Sequence, residues 1–594
     1  MKLFPSHHNI RWWGAVIILA VLVRVVYWWS VHLQPWFQAP GMDPEFYSDW
    51  AKDILEGRGE RYLPFPRGPL YPYLLAAIFS FSDHWLLPRI FNLMCDIGTI
   101  LLLGRLGNRW LGAKGSLWAG GLWAINGMAI YFSGEILGTS LEVFLALLTL
   151  LSAISVRSNN PLSPIGLGVC WALFSLARPT ALVWLPLLAG WIVYQGVQSK
   201  KEWIRPLGGF VFSVFIVLSP VTIVNYAASG AFIPISTLGG VNFYIGNSPA
   251  SRGFSSFLPG VGAGWSEEQA KQFAEQTAGR KLNPGEVSHQ FVKLTIRNIL
   301  QDPYQWFQLM IRKFFYLVSS QEIGNNRPLQ LVWEVVPWLR VLAGLVGIGF
   351  LLPLALIGFK TLYSQDKESA YLLGGAELSY GFALSLFFIA SRYRMPLIPI
   401  IIFLAVLGGK TVLEELKVSL NASPSLKRWR GGLKMKFLVL FIGWAVTLPP
   451  WMSATGHPAQ APYIQGNAYL RLGQPEKAIP YYLKAAQIDP YFLRLPINLG
   501  VAYLESGDTV RADSLFHIAA LVPDMRGEAL NNLGTIWEGK GERDKALEFY
   551  RQAFRYASDN PDVRWNLARL IMIKGDTLAL SGQFDEAFQK YQEA

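Results

Sequence analysis

The sequence predicts an all-α protein in two parts: a polytopic membrane bundle of about eleven transmembrane helices, then a helical solenoid. Two observations carry this reading. Long apolar runs recur through residues 1–458, and a 34-residue pattern of small and aromatic residues repeats through 459–594. Charge supports the same division. Only 15% of the 594 residues are charged, against roughly 25% in an average soluble protein. Residues 459–594 hold 15 Lys+Arg and 17 Asp+Glu, so the +12 net charge belongs to the apolar part. There the basic residues sit between hydrophobic runs, as loops on the cytoplasmic side of a membrane do, and nucleic acid is excluded as a partner. The two cysteines, Cys95 and Cys170, lie inside apolar runs and imply neither a disulfide framework nor a metal site.

Taken in order, 12–33 is long enough to span and reads as a retained helix, since no small-x-small cleavage site follows it. Residues 34–68 are polar, aromatic and Pro-rich, hence a loop. The apolar stretch 69–82 has about 14 residues, which suits an interfacial or re-entrant helix better than a span. Spans follow at 85–106, 115–133, 137–156, 162–177, 180–197 and 206–226, and later at 334–357, 370–389, 395–409 and 436–451. With the N-terminus inside, the basic groups Arg105/Arg109/Lys114, Lys200/Lys201/Arg205 and 410–436 all fall on the cytoplasmic side. The loops 34–84 and 227–333 and the repeats then share the outer face, in a multi-pass protein of a bacterial inner membrane. Arg24 and Asp96 lie at matching depths in the first two spans. Buried charges at one depth neutralise each other, so they are expected to pair.

In the tail, Gly466, Gly500 and Gly534 are 34 residues apart, with Ala568 next in the series. Tyr469/Tyr503/Trp537, Ala478/Ala512/Ala546, Tyr482/Phe516/Tyr550 and Ala485/Ala519/Ala553 keep the same spacing. This is the period of tetratricopeptide repeats, paired helices that stack on their neighbours. A fourth unit carries about seven extra residues before Ala587 and Tyr591, so its first helix is expected to be two turns longer. The chain reaches Ala594 without a polar capping helix, which predicts an end covered by a partner or truncated.

The stretch Gly41-Met42-Asp43-Pro44-Glu45-Phe46-Tyr47-Ser48-Asp49-Trp50 opens the first outer loop. Phe46, Trp50 and Ile54 recur along one side of an amphipathic segment that can lie at the bilayer surface. Asp43 before Pro44 also matches a helix-capping signal, so a purely structural role stands beside a chemical one. Other polar motifs fall on the same outer side: Arg67-Gly68-Pro69-Leu70, Ser133-Gly134-Glu135, Arg178-Pro179, the run 234–247 with Tyr244 and Asn247, then Lys313, Glu322 and Asn325, and Ser391-Arg392-Tyr393-Arg394-Met395-Pro396. Glu142, Arg340 and Glu377 lie in or near spans without legible partners.

Such a set suits glycosyl transfer from a polyprenyl-phosphate-linked sugar, whose head group lies at the membrane surface. A carboxylate beside the acceptor hydroxyl serves as general base, Arg or Lys steadies the departing phosphate, and Tyr244 and Asn247 hold a sugar. No nucleotide-binding glycine loop and no His-rich metal motif occurs, so no cofactor is assigned and a divalent metal is left open.

The Asp-x-x-x-Tyr element, the basic residue with Pro-Leu-Tyr, the Glu of the next outer loop and Arg-Tyr-Arg-x-Pro resemble the GT-C glycosyltransferases. The likeness is to the branch of protein O-mannosyltransferases and bacterial aminoarabinose transferases, especially members with C-terminal tetratricopeptide repeats. It covers roughly residues 10–410, with the repeats as a separate match. The resemblance implies that Asp43 is the base or acceptor-orienting acid and Glu135 a second acid. It places Arg392 and Arg394 near the donor phosphate, with Arg67 among the substrate-binding cations, and Lys313 and Glu322 along the cavity. One departure stands out: relatives carry adjacent Asp-Glu where this chain has Asp43-Pro44, which weakens any paired-carboxylate or metal role. The acceptor is a glycan, a lipid or a protein. Two other readings remain: an O-antigen ligase or polymerase, for which an Asp-bearing loop after the first span is unexpected, and a non-catalytic scaffold working through its repeats.

Overall fold

A computed structural model describes residues 7–156, 162–200, 202–254, 257–259, 261, 265–421, 427–449, 456–492, 494–558, 560–581 and 583–593. Lys201 and Ala594 lie outside them, as do the side chains of Lys427, Arg428 and Arg430. The described residues are helical with short connections and no strand, which makes the fold all-α. The chain divides into two compact units, Met1–Leu33 with Met42–Gly456, and Gln34–Gly41 with His457–Ala594.

The helices in chain order are α1 (His7–Val31), α2 (Pro35–Gln38), α3 (Asp43–Leu55), α4 (Leu70–Phe79), α5 (Leu86–Trp110), α6 (Gly112–Ala124), α7 (Gly127–Ser133), α8 (Thr139–Ser155), α9 (Leu162–Ala177), α10 (Trp184–Gln198) and α11 (Ile204–Ser229). A loop-rich stretch carries α12 (Gly239–Asn247), α13 (Glu267–Ala278), α14 (Pro284–Gln301), α15 (Pro303–Val318) and α16 (Gln330–Val335). Then come α17 (Pro337–Leu345), α18 (Ile348–Gln365), α19 (Lys367–Ser385), α20 (Ser391–Arg394), α21 (Ile398–Asn421) and α22 (Lys427–Thr447). The repeats contribute α23 (Gln460–Arg471), α24 (Pro475–Ile488), α25 (Leu495–Glu505), α26 (Thr509–Ala520), α27 (Arg526–Gly539), α28 (Arg543–Tyr556), α29 (Pro561–Leu580) and α30 (Phe584–Glu593).

Among the described residues, six stretches are long and apolar enough to cross a membrane: Arg11–Val31, Leu86–Trp110, Pro179–Gln198, Ile204–Ser229, Pro337–Gln365 and Ser391–Leu420. That is fewer than the eleven expected, and the shortfall has local causes. The stretch 115–133 is broken after Ala124, where the Asn126 side chain accepts from Ala129 N and caps a separate helix, α7. α8 and α9 have 17 and 16 residues, which at 1.5 Å per residue fall short of a ~30 Å hydrocarbon core. α19 carries Lys367, Glu368 and Glu377, and α22 begins among basic residues. α4, ten residues long, is shorter still.

Two of the six stretches expose apolar surface compatible with a membrane protein. On α11, Val211, Phe212, Phe215, Ile216 and Ile223 are exposed, and on α1 so are Leu22, Val25, Val26 and Trp29. Contiguous apolar area of this kind is unfavourable in water and neutral in lipid. Inside the bundle, Arg24 donates to Asp96 at 2.8 Å, and both are buried. The guanidinium also donates to the carbonyls of Ala20 and Ala124 at α-helix positions (3.2 and 2.9 Å), as a charge withdrawn from water requires.

In the second unit the helices pair in sequence, and the 34-residue spacing has a steric origin. A Cβ on Gly466, Gly500 or Gly534 would lie 2.5–2.6 Å from the ring of Tyr482, Phe516 or Tyr550. Glycine therefore lets each aromatic side chain lie flat on the helix before it. The fourth pair corrects the expected series: Gly575, not Ala568, faces the ring of Tyr591, at 2.7 Å. The seven inserted residues precede Gly575, and α29 accordingly has 20 residues where α23, α25 and α27 have 12, 11 and 14. Gly473, Gly507 and Gly541 take positive φ (66°, 90° and 80°) at the ends of the first helices, a conformation glycine adopts without a Cβ clash. Trp36 and Phe37 of α2 are buried in this unit.

Candidate functional site

α3 starts at Asp43 and is built by aromatic packing. Trp50 is fully buried and stacks on Tyr62 (4.9 Å), with Phe46 edge-on to both. The capping role anticipated for Asp43 is not what the structure shows. Met42 occupies the cap position, with no side-chain cap bond, and Asp43 is the first residue of the helix. Met42 holds φ 63° and ψ −132°, a region that costs a non-glycine residue roughly 1–3 kcal/mol. The Asp43 carboxylate is turned instead to two arginines. Arg67 donates to Oδ1 at 2.5 Å and Arg392 to Oδ2 at 2.7 Å, with Asn325 farther off at 3.4 Å. The side chain keeps 18% of its surface exposed, whereas Arg392 keeps only 5%. Tyr47 lies one helical turn beyond Asp43 and sits beside both guanidinium groups (5.7 Å from Arg67, 6.0 Å from Arg392). The Asp-x-x-x-Tyr spacing thus sets acid and ring on one face.

Arg67 is held by its loop. Phe65 N donates to the fully buried Asn225 (2.8 Å), which ties down the carbonyls of Ile233 and Ile235, and Thr237 N donates to Phe65 O (3.0 Å). A Cβ on Gly68 would lie 2.4 Å from the Leu176 carbonyl oxygen, so only glycine lets this loop reach the end of α9. From that end Arg178 extends to Glu142 (2.8 Å), in the first turn of α8 where the helix dipole favours an anion. Glu142 lies 3.8 Å from the far edge of Arg392. Arg178 also covers the Tyr393 ring at 4.6 Å. Asp43, Arg67, Arg392, Glu142 and Arg178 form one connected set with three cations and two anions, and Glu267 of α13 lies within electrostatic reach of Arg67. Burial opposes ionisation of Asp43, but Arg67 and Arg392 outweigh it and hold its pKa below the usual carboxylate value.

The other expected site residues fall into separate groups. Glu135 is buried against Arg327 (2.6 Å), while Asn92 and Arg89 bind the carbonyls of Glu135 and Gly134. Burial raises its pKa against the pull of Arg327 and Arg89. Arg394 is occupied by the carbonyls of Tyr316 in the last turn of α15 and of Ser319 and Gln321 beyond it, and by Glu322 (2.6 Å), which Ser391 also engages. That is a cation closing a helix C-terminus. Asn247 has both ends satisfied: its oxygen accepts from Trp306 (3.0 Å) and Lys313 (3.2 Å), and its amide donates to Phe243 O and Leu386 O. Lys313 is fully buried, has no carboxylate partner among the described residues, and burial lowers its pKa to about 7. Tyr244 packs on Phe291 and Phe273 (5.4 and 6.1 Å) in an apolar cluster. Among the described residues no three His, Cys, Asp or Glu side chains gather closely enough to hold a metal.

Residues 463–492 and 527–560 match the tetratricopeptide repeat family model. The repeats of the second unit are tetratricopeptide repeats. A 93-residue stretch is 34% identical to the Protein CTR9 homolog of Arabidopsis thaliana, covering 15% of this chain; the chain spans only 8% of that protein's length. Among solved structures, the chain is similar to an Archaeoglobus fulgidus oligosaccharyltransferase in the apo form, at 14% identity and a TM-score of 0.39, over 82% of this chain and 61% of that one. It is also similar to the APC/C hetero-tetramer Cut9–Hcn1, at 12% identity and a TM-score of 0.19, over 95% and 98% of the two chains. Both scores are too low to imply a shared fold.

Sequence reasoning singled out Asp43, Arg67 and Arg392, which the structure joins. It noted Arg178, Glu142 and Asn325 without connecting them to Asp43, and it passed over Arg327. The run Asn325-Asn326-Arg327-Pro328, polar between two apolar segments, was the available signal for that last residue.

Proposed function

We propose that the first unit is a membrane glycosyltransferase that moves a sugar from a polyprenyl-phosphate-linked donor to an acceptor hydroxyl, with Asp43 as general base. The observation that carries this reading is the Asp43 carboxylate gripped on both oxygens by arginines from distant segments, part-exposed in a unit that carries long apolar helices. Carboxylate and guanidinium groups together are what displacement of a phosphate by an alcohol requires. The acceptor oxygen attacks the anomeric carbon as its proton passes to Asp43. The bond from that carbon to the phosphate oxygen breaks, and its electron pair leaves on polyprenyl phosphate, steadied by Arg67 and Arg392. Glu135, Glu322, Arg394, Asn247 and Lys313 support the frame around this centre. The repeats recruit the acceptor or a partner protein, the usual work of such solenoids. The enzyme is a bacterial inner-membrane protein whose loops 34–84 and 227–333 and repeats face the periplasm.

The test uses the purified full chain in detergent, labelled polyprenyl-phosphate sugars and a membrane extract. Transfer of label with equimolar release of polyprenyl phosphate is expected, and Arg392→Ala should lose it. An intact, monodisperse protein that transfers none of the sugars and yet retains a protein partner through its repeats would favour a scaffold.

A further inference from the structure

We propose that Asp43 occupies the donor-phosphate site of the empty enzyme, and that the arriving phosphate takes Arg67 and Arg392 away from it. This rests on the transferase reading above and concerns the order of events at the same site. Three features point to the exchange. Both Asp43 oxygens are taken by guanidinium groups, so the residue assigned as base has no oxygen left unengaged for an acceptor proton. Arg392 is shared, with one edge on Asp43 at 2.7 Å and the other 3.8 Å from Glu142, while its Nε is buried with no hydrogen-bond partner among the described residues. An unsatisfied buried N–H of a charged group is unfavourable, and a phosphate oxygen would satisfy it. The far side of the cluster is fixed independently, since Arg178 and Glu142 pair with each other at 2.8 Å inside the bundle. Arg392 can therefore pass from one anion to another while Glu142 keeps its outer edge in place.

The exchange makes the base available only when the donor is bound. With the arginines on Asp43, the carboxylate is stabilised as an anion and is a poor proton acceptor. Once they turn to the phosphate, it loses that stabilisation and its affinity for a proton rises. No covalent bond changes in this step; ion pairs are exchanged. The donor then binds before the acceptor, and an acceptor alone is left unactivated.

The counter-intuitive consequence is that neutralising the base should tighten donor-phosphate binding. The full chain in lipid nanodiscs would be titrated with a short-chain polyprenyl monophosphate. If Asp43 engages the arginines about nine-tenths of the time, Asp43→Asn and Asp43→Ser should each bind roughly tenfold more tightly than the native chain. Asp43→Glu, which restores the charge, should return towards the native affinity. Melting temperatures of all the variants identify any that fail to fold, and the Ser variant stands in should the Asn variant be lost. Equal or weaker binding by folded Asp43→Asn and Asp43→Ser, with a native chain that binds, would overturn the exchange and leave the transferase reading standing. No binding by any variant would instead overturn the phosphate site on which both rest. Inorganic phosphate is expected to compete only in at least about a hundredfold excess, because it lacks the chain's contribution from lipid contact. Equal affinity for the two would mark a free-phosphate site and overturn the donor assignment.

Discussion

The two units stabilise charge in opposite ways. In the repeats, Arg569 pairs with Glu538 through two 2.7 Å bonds while the partners stay 31% and 22% exposed. In the first unit, Arg327 meets Glu135 at 2.6 Å with exposures of 4% and 1%, and Arg24 meets Asp96 at 0% and 1%. Water shares the burden in one case and is absent in the other. The repeats depend on steric fit between small residues and rings, with charge as a surface addition. The first unit depends on buried charges meeting buried partners, an opposite charge for Arg327 and Arg24 and neutral acceptors for Lys313.

The largest difference should appear when one partner is removed. Glu135→Ala removes the carboxylate that the buried Arg327 guanidinium meets, and should destabilise the first unit by roughly 3–5 kcal/mol. The double variant Glu135→Leu/Arg327→Met should recover most of that loss in a denaturation experiment. If the single and double variants were equally destabilised, packing rather than charge would explain the cost.

Lys313 gives a pH signature of the same burial. Its folded pKa of about 7 lies below the ordinary lysine value, which is about 10.4. Between the two, the unfolded chain binds a proton that the folded chain does not. Stability should therefore rise with pH from about 7 to about 10, by at most about 1.4 kcal/mol per unit, and be lowest below 7, where the buried amine is charged. Melting temperatures of the native chain and Lys313→Met across this window should diverge, with the flatter profile belonging to the variant. Parallel profiles would assign the slope to other groups.

In the repeats, steric substitutions should dominate. Gly534→Val places a branched side chain where a Cβ alone already stands 2.5 Å from the Tyr550 ring, at a cost of roughly 1–3 kcal/mol. Loss of helical signal from this unit on heating should come earlier, and an unchanged transition would contradict the close contact. The smallest effect is expected for Glu538→Ala. It leaves Arg569 a route to water and should cost about 1 kcal/mol or less. A loss as large as that of Glu135→Ala would erase the contrast between the units.

The same contrast explains what could be read in the sequence. Gly466, Gly500 and Gly534 each meet a ring sixteen residues on, a local relation that repeats and so declares itself in the spacing. The insertion before Gly575 breaks that register, so the strict 34-residue spacing points to Ala568 while the contact to Tyr591 belongs to Gly575. In the first unit, Asp43, Arg67 and Arg392 were legible as residue types on one side of a membrane. Their meeting spans 349 positions and depends on Gly68 lying against α9 and on Asn225 holding the Phe65 loop. The Arg24–Asp96 pair was legible because helical rise converts sequence position into depth. The contacts of Tyr244, Asn247 and Arg394 were not, because nothing local tells which ring or carbonyl such a side chain will meet. Hydropathy also overstated the spans, since α8, α9 and α19 are apolar inside a bundle without being long or apolar enough to cross.

The central claim is that Asp43, whose carboxylate Arg67 and Arg392 hold in the absence of donor, removes the proton from the acceptor. The most direct measurement is the single-turnover rate of sugar transfer from pre-bound, labelled polyprenyl-phosphate sugar by the native chain and by Asp43→Asn. With donor already in place, loss of a general base should slow the step by about a hundredfold or more. A folded Asp43→Asn protein that transfers at the native rate would contradict the account.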